Sequence, residues 1–368
     1  MPAGRRGGGV NLPALRSHNA ALVLDLLRTA GEAGVSRLEL ADRTGLTPQA
    51  VSKITARLRE EGLVADAGRR ASTGGKPATV LRLVPTAAYA VGLHLDRDEL
   101  TAVLLDLAGA PVAVRRAPLD LGAGAEPVLA AARAEVAALL AAEAPEPPEG
   151  VKGGKGGSPV LGVGVAMPGP LDYRSGRPGR VTGFPEWDGF PLREELGRRL
   201  GLPVALDKDT NAAALGLARR PGAPGSFAYV HLGTGLGAGL VLGGAVLRGG
   251  RTGAGELGHQ TVQLDGPRCD CGGRGCLEVL CLAALARGDL AEAARVLGTG
   301  AANLVRLLDV DRVLLGGRAV LAAPEAFAHG AREVLAGLGL PVAVETVTGP
   351  TAVADGAAQL VLAPVFGA

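Results

Sequence analysis

From residue 85 to its carboxyl end, the chain alternates short apolar runs with Ala- and Leu-rich amphipathic stretches, which restricts this body to an α/β fold. AYAVGLHLDRDELTAVLLDLAG reads as two apolar strands around a short charged turn. A helix over about Pro127–Ala142 follows, then the strand LGVGVAMPG, a helix from about Leu192 to Leu200 and the strand PVALD. No repeat of short period is visible, and the body reads as two lobes. Aromatic residues make up only 2% of the chain, so Leu, Val and Ala must fill its core. The Pro-, Gly- and Lys-rich stretch at about 143–158 reads as a mobile loop within the body, which spans 85–368.

The amino-terminal part follows different rules. Residues 1–12 read as a disordered leader and 13–84 as a small α+β domain of three helices and a hairpin. Ser36-Arg37-Leu38-Glu39 is a capping-box pattern that starts a helix, and Gly45 stops it. Thr47 caps the next helix, Pro48 takes its first position, and Gly62 suits a left-handed stop. Val51, Ile54 and Leu58 then fall on one apolar face. Gln49, Ser52, Lys53 and Ala56 share the opposite face, with Arg57 at its edge. Short polar and basic side chains there suit base edges and phosphates, which makes the helix pair a helix-turn-helix. The hairpin GRRASTGGKP would form a wing whose Arg69, Arg70 and Lys76 reach phosphate or the minor groove. A small helical domain that docks on protein is the alternative.

Charge is distributed accordingly. Residues 1–83 hold 13 Lys and Arg against 7 Asp and Glu, whereas the rest hold 25 against 29. Excess positive charge at one end suits contact with double-stranded DNA. No stretch approaches the roughly 18 apolar residues of a membrane span, and no signal-type apolar run follows the amino terminus. A soluble cytoplasmic protein is therefore expected, without a membrane partner.

GHQTVQLDGPRCDCGGRGC brings His259, Cys269, Cys271 and Cys276 into one short run, a Cys₃His set of the kind that holds structural Zn²⁺. One residue separates Cys269 from Cys271, which disfavours a disulfide between them, and the glycines at 272, 273 and 275 permit a tight wrap. Four protein ligands leave no open position for a water. Cys281 reads as buried packing.

Taken together, these stretches resemble the ROK family of repressors, open-reading-frame products and sugar kinases on an actin/hexokinase-like fold. The resemblance runs from about residue 17 to the end. GVSRLELADRTGLTPQAVSKITARLREEGLV and STGGKP are similar to the repressor branch. VGVAMPGPLD, WDGFPLREEL, DKDTNAAALG, LGTGLGAGLVLGG, GELGH, CDCGGRGCLE and LLGG are similar to the kinase body. The resemblance implies that Asp209 matches the base that takes a proton from a sugar hydroxyl. It also implies that Glu256, His259 and Glu278 hold sugar hydroxyls, with His259 binding zinc through its other nitrogen. Gly233-Thr234-Gly235-Leu236-Gly237 resembles a second phosphate loop, although alone it is equally a plain tight turn.

Three departures bear on activity. Family kinases grip ATP with an Asp-x-Gly-Gly-Thr loop, where this chain reads His94-Leu95-Asp96-Arg97-Asp98; Asp96, Asp98 and Glu99 would repel a triphosphate. Lys208 stands where the family places a sugar-holding Asn, and either selects an acidic or phosphorylated sugar or pairs with Asp207 or Asp209. Gly183 replaces another Asn, and the stretch from Leu280 to Leu304 is shorter than in most relatives. The sequence therefore predicts a repressor with no catalytic residue, acting as a homodimer or tetramer. Its operator binding would respond to a sugar or sugar derivative near Lys208, Asp209, Glu256, His259 and Glu278. The competing readings are an active sugar kinase with an appended DNA-binding module, and a zinc-stabilised protein-docking scaffold.

Overall fold

The computed structural model of the chain describes residues 18–70, 78–143, 160–181 and 183–367. The expected leader, the expected loop beyond Glu143, and the tip of the expected wing with Lys76 lie outside the described residues.

The amino-terminal unit runs α1 (His18–Ala30), β1 (Val35–Ser36), α2 (Arg37–Thr44), α3 (Pro48–Glu60), β2 (Val64–Arg70) and β3 (Ala78–Leu83). The capping box forms: the Glu39 N–H donates to Ser36 Oγ at 3.2 Å, and the Ser36 N–H donates to Glu39 Oε2 at 2.7 Å. Gly45 ends α2 at a φ of 69°, and Thr47 Oγ1 caps α3 by accepting from the Ala50 N–H at 3.2 Å. Helix α3 stops at Glu60, short of Gly62, because Glu61 closes it as the cap. The hairpin gains a third strand that local sequence did not announce, β1 pairing antiparallel with β3 through Val35 and Leu81. This is a winged helix-turn-helix.

The first lobe of the body contains β4 (Tyr89–Leu95), β5 (Glu99–Asp106), β6 (Pro111–Pro118), α4 (Ala125–Glu143) and β7 (Val160–Met167). It continues with β8 (Leu171–Asp172), β9 (Arg177–Pro178), α5 (Leu192–Leu200), β10 (Val204–Lys208) and α6 (Asp209–Ala218). Its main sheet has the order β10-β7-β4-β5-β6. The second lobe holds β11 (Phe227–Leu232), β12 (Leu236–Leu242), β13 (Ala245–Val246), α7 (Leu277–Ala286), α8 (Leu290–Leu308) and β14 (Arg312–Gly316). After α9 (Arg318–Ala322), α10 (Pro324–Gly337) and β15 (Ala343–Thr346), α11 (Ala352–Leu362) returns to the first lobe. The second sheet has the order β13-β12-β11-β14-β15.

Both sheets repeat one topology, an antiparallel three-strand meander extended by two parallel strands, as in the actin/hexokinase-like fold. The β4–β5 turn and the β11–β12 turn are therefore equivalent corners of the two lobes. Helices α6 and α11 lie between the sheets. Glycines in central strands let them approach: a Cβ on Gly164 would collide with the Ala357 carbonyl of α11, and one on Gly239 with the Thr210 carbonyl of α6. Helix α6, which carries Asp209 at its start, is thereby fixed against β12.

The amino-terminal unit does not hang free. Val23, Leu24 and Leu27 of α1 share one buried cluster with Leu105, Val361, Leu362, Val365 and Phe366 of the body. Burying each such aliphatic side chain contributes about 1.5–3 kcal/mol.

Candidate functional site

On α3, Val51, Thr55 and Leu58 are buried, while Gln49, Ser52, Lys53, Ala56 and Arg57 are exposed on the other face. Thr55 Oγ1 donates back to the Val51 carbonyl at 2.8 Å, so its hydroxyl is satisfied inside the core. The five exposed residues form one continuous strip. The backbone of Arg69 and Arg70 lies in β2, paired with Thr79 and Ala78 of β3.

The expected effector residues converge. Lys208, Asp209, Glu256, His259 and Glu278 line one cleft between the lobes, joined by Asp96, Arg97, Thr234 and Gly235 from the two equivalent turns. Gly183 lies outside that lining. The cleft encloses about 70 Å³, well below the roughly 300–1,000 Å³ of a typical small-molecule site. At its floor, Asp209 Oδ1 accepts from the Thr210 N–H at 2.6 Å. Burial pushes the Asp209 carboxyl up to about 7, against the opposing pull of that N–H and of Lys208. Glu278 Oε2 accepts from the Leu236 N–H at 2.8 Å, which ties α7 to the second turn.

Lys208 departs from both sequence readings of its partner. Its Nζ donates to Glu256 Oε1 at 2.9 Å and to the Ala254 carbonyl at 2.7 Å, with only 3% of the side chain exposed. Asp207 instead binds Arg248 Nε at 2.6 Å and the Asn211 side chain at 3.0 Å. The Lys208 chain crosses the cleft floor towards the second lobe, which is why its carboxylate partner lies 48 residues away. Arg97 is a cation that sequence reasoning passed over. It lines the cleft with its guanidinium over the Phe184 ring at 5.7 Å, and it forms no ion pair with any described residue.

The two turns are bonded to each other. Thr234 Oγ1 donates to Asp96 Oδ1 at 3.0 Å, across the lobes. Arg318, at the start of α9, clamps Asp98 with two hydrogen bonds of 2.8 and 2.9 Å and stands 3.9 Å from Asp96. Burial works to raise the Asp96 carboxyl, yet His94, the Arg97 N–H and the Thr234 hydroxyl together hold it below its usual range. An ionised carboxylate held by a hydroxyl and a backbone N–H occupies the corner where the two turns meet. Behind it, burial and neighbouring His94 bring His231 down to about 4, so that imidazole is neutral near pH 7.

His259, Cys269, Cys271 and Cys276 present their ligand atoms within 4.8 Å of one another. Cys271 Sγ to Cys276 Sγ is 3.7 Å, and Cys269 Sγ to His259 Nδ1 is also 3.7 Å. Bonds of about 2.3 Å to sulfur and about 2.0 Å to nitrogen at a tetrahedral ion give edges of about 3.8 and 3.6 Å. Those two edges therefore match such an ion. Because Nδ1 faces the thiols, Nε2 is the nitrogen left for the cleft that His259 lines. Cys281 is buried away from the cluster and donates to the Ala293 carbonyl at 3.2 Å.

Among the described residues no helix is long and apolar enough to cross a membrane. A ROK family profile matches residues 155–288, and a winged helix-turn-helix DNA-binding profile matches residues 23–65. A putative xylose repressor of Caldicellulosiruptor sp. is 30% identical over 247 residues, 66% of this chain and 59% of the repressor. The chain thus spans about three fifths of the length of that relative. The crystal structure of a ROK hexokinase from Thermus thermophilus superposes with a TM-score of 0.59 at 33% identity, covering 76% of this chain and all of the hexokinase. A ROK family transcriptional regulator, described as a homologue of the E. coli MLC protein, gives a TM-score of 0.75 at 22% identity. That match covers 95% of this chain and 96% of the regulator, a likeness of fold.

Proposed function

Because this chain belongs to the ROK family, we propose that it is a DNA-binding transcriptional repressor whose hold on its operator is set by a sugar or sugar derivative in a kinase-like cleft. What supports the reading is a pairing: α3 exposes a polar, basic strip, while Asp96, on the turn that the resemblance assigns to ATP phosphates, is bonded to Thr234 of the second turn. In this reading residues 13–84 are the reader and 85–368 the sensor. Gln49 and Ser52 contact base edges, and Lys53, Arg57, Arg69, Arg70 and Lys76 contact phosphates. The protein acts in the cytoplasm as a homodimer or tetramer on a two-fold operator. A repressor relative named for xylose supports a monosaccharide as the effector class.

The cysteine–histidine cluster holds a structural Zn²⁺, which when bound would fix the loop that carries His259. Asp209, Glu256, His259 Nε2 and Glu278 then accept or share the protons of sugar hydroxyls. Glu256 and Lys208 form one ion-paired unit, so selectivity for an acidic sugar rests on Arg97, the cation without an ion-pair partner among the described residues. A sugar must widen the cleft to enter, so it favours a lobe arrangement other than this one. Helix α6 supports transmission: it begins at Asp209 in the cleft and ends at Arg219, which bonds Asp25 of reader helix α1 at 2.9 Å.

One observation favours a second reading, an active sugar kinase: a carboxyl at about 7 is well matched to general-base work near neutrality. Thermal-shift titration of the zinc-loaded chain with neutral and acidic monosaccharides, with and without ATP–Mg²⁺, separates the two. Stabilisation by a sugar but not by ATP–Mg²⁺ is the expected result. Stabilisation by ATP–Mg²⁺ with sugar-dependent ADP release would overturn it.

A further inference from the structure

A second cavity, remote from the sugar cleft, lies where reader helix α1 meets the body. It encloses about 580 Å³, within the roughly 300–1,000 Å³ range of small-molecule sites. Arg28 and Thr29 of α1 line one side, and Arg219 and Arg220 at the end of α6, with Asp355 and Gln359 of α11, line the other.

Its charge is unbalanced. Arg28 and Arg219 share a single carboxylate, Asp25, at 2.8 and 2.9 Å, and both guanidiniums are less than 20% exposed. Arg220, at the mouth, forms no side-chain hydrogen bond or ion pair with any described residue, so three guanidiniums face one shared counter-charge and Asp355. Asp355 in turn has its Oδ1 buried without a hydrogen-bond partner, its other oxygen accepting from Thr351 Oγ1 at 2.9 Å. Burial, and next the nearby Arg28, lower Arg219 from its ordinary value, the sign of a cation short of compensation.

We propose that this junction is a second ligand site, for a small anion that also carries a hydroxyl donor, such as a phosphorylated or carboxylated polyol acid. The anion is forked between the guanidiniums, whose planar donors match carboxylate and phosphate oxygens. A small turn of the Asp355 side chain brings its buried, unpartnered Oδ1 to the cavity, where the hydroxyl supplies the donor it lacks. Because the lining comes from both the reader and the body, such a ligand holds α1 in the docked position and adds a second metabolic input at a site distinct from the cleft.

The test is isothermal titration of the full zinc-loaded chain with 3-phosphoglycerate, citrate and inorganic phosphate, followed by Arg220→Ala and Arg220→Lys. At least one of the two hydroxy acids should bind with unit stoichiometry and more tightly than phosphate. Arg220→Ala should weaken it about ten-fold or more, Arg220→Lys should weaken it less, and both variants should melt like the parent without ligand. Saturating xylose should shift the affinity by no more than about ten-fold, through α6, and leave the stoichiometry at one. No binding by either hydroxy acid, undiminished binding in Arg220→Ala, or strict competition by xylose, with an apparent affinity that keeps falling in proportion to its concentration, would each overturn the site. The test needs neither DNA nor a cleft ligand, so its failure is separate from any failure of the repressor reading.

Discussion

If α6 carries the state of the cleft to the reader, the Asp25 carboxylate is where the message crosses. Asp25 accepts from Arg219 Nη2 at 2.9 Å and from Arg28 Nη2 at 2.8 Å, and Arg28 also donates to the Arg219 carbonyl at 3.4 Å. Hydrogen bonds to charged groups are worth about 1.5–3 kcal/mol each. Asp25 is 35% exposed, which places the crossing bond to Arg219 near the lower figure. A ten-fold ligand response in DNA affinity needs only about 1.4 kcal/mol of coupling, so this single bond can carry all of it. Asp25→Asn keeps the shape and removes the charge, leaving two guanidiniums to repel each other. The variant should lose about 1.5–3 kcal/mol of stability. Its sugar-induced change in operator affinity, read by fluorescence anisotropy, should collapse towards none, while calorimetric sugar affinity stays within about two-fold, under 0.5 kcal/mol. Asp66→Asn is the control, because Asp66 pairs with Arg59 inside the reader. An Asp25→Asn protein that keeps the full sugar response would refute the α6 route.

Other consequences are simpler to state. Cys276→Ser should abolish zinc retention measured by atomic emission, whereas Cys281→Ser, outside the cluster, should keep one Zn²⁺ per chain at a modest loss of melting temperature. The Asp209 carboxyl rises from 3.8 to about 7 on folding, so the folded state binds its proton more tightly and this group's contribution to stability falls as pH rises from about 4 to 7. Asp209→Asn should therefore raise the melting temperature more at pH 8 than at pH 4.5 by calorimetry, and an equal effect at both would deny the shift. On α3, Lys53→Ala should weaken binding to every DNA sequence and shallow the log–log salt slope by about 1 per site. Gln49→Ala should instead relax discrimination at particular base pairs, so identical behaviour of the two would dissolve the division of roles.

Local chemistry was the legible part of the sequence. Ser36 with Glu39, and Thr47 with Pro48, act over no more than three residues and start α2 and α3, and the helix expected over Leu192–Leu200 has those bounds. The cysteine–histidine run is likewise local, so its convergence followed from spacing alone. What escaped notice was long-range. β1 is two residues long and owes its existence to β3, across 46 positions. β6 is an edge strand whose VAVRRAP residues are mostly exposed, so no burial pattern marked it. The Arg318–Asp98 clamp joins residues 220 apart, and nothing near Arg318 announces a partner. For Lys208 the sequence offered selection of an acidic sugar or pairing with Asp207 or Asp209, and the carboxylate the fold delivers to it is Glu256. The duplicated sheet order was equally silent, because topology repeats here without a repeat in residue identity.

The most direct test of the account is operator affinity of the full zinc-loaded chain. Fragments selected from random DNA are measured by anisotropy across a salt series, with and without the sugar that stabilises the protein. Affinity should be at least about 10³-fold above that for unselected DNA, and should change about ten-fold on adding sugar. Equal affinity for selected and unselected DNA, unmoved by any stabilising sugar, would contradict it.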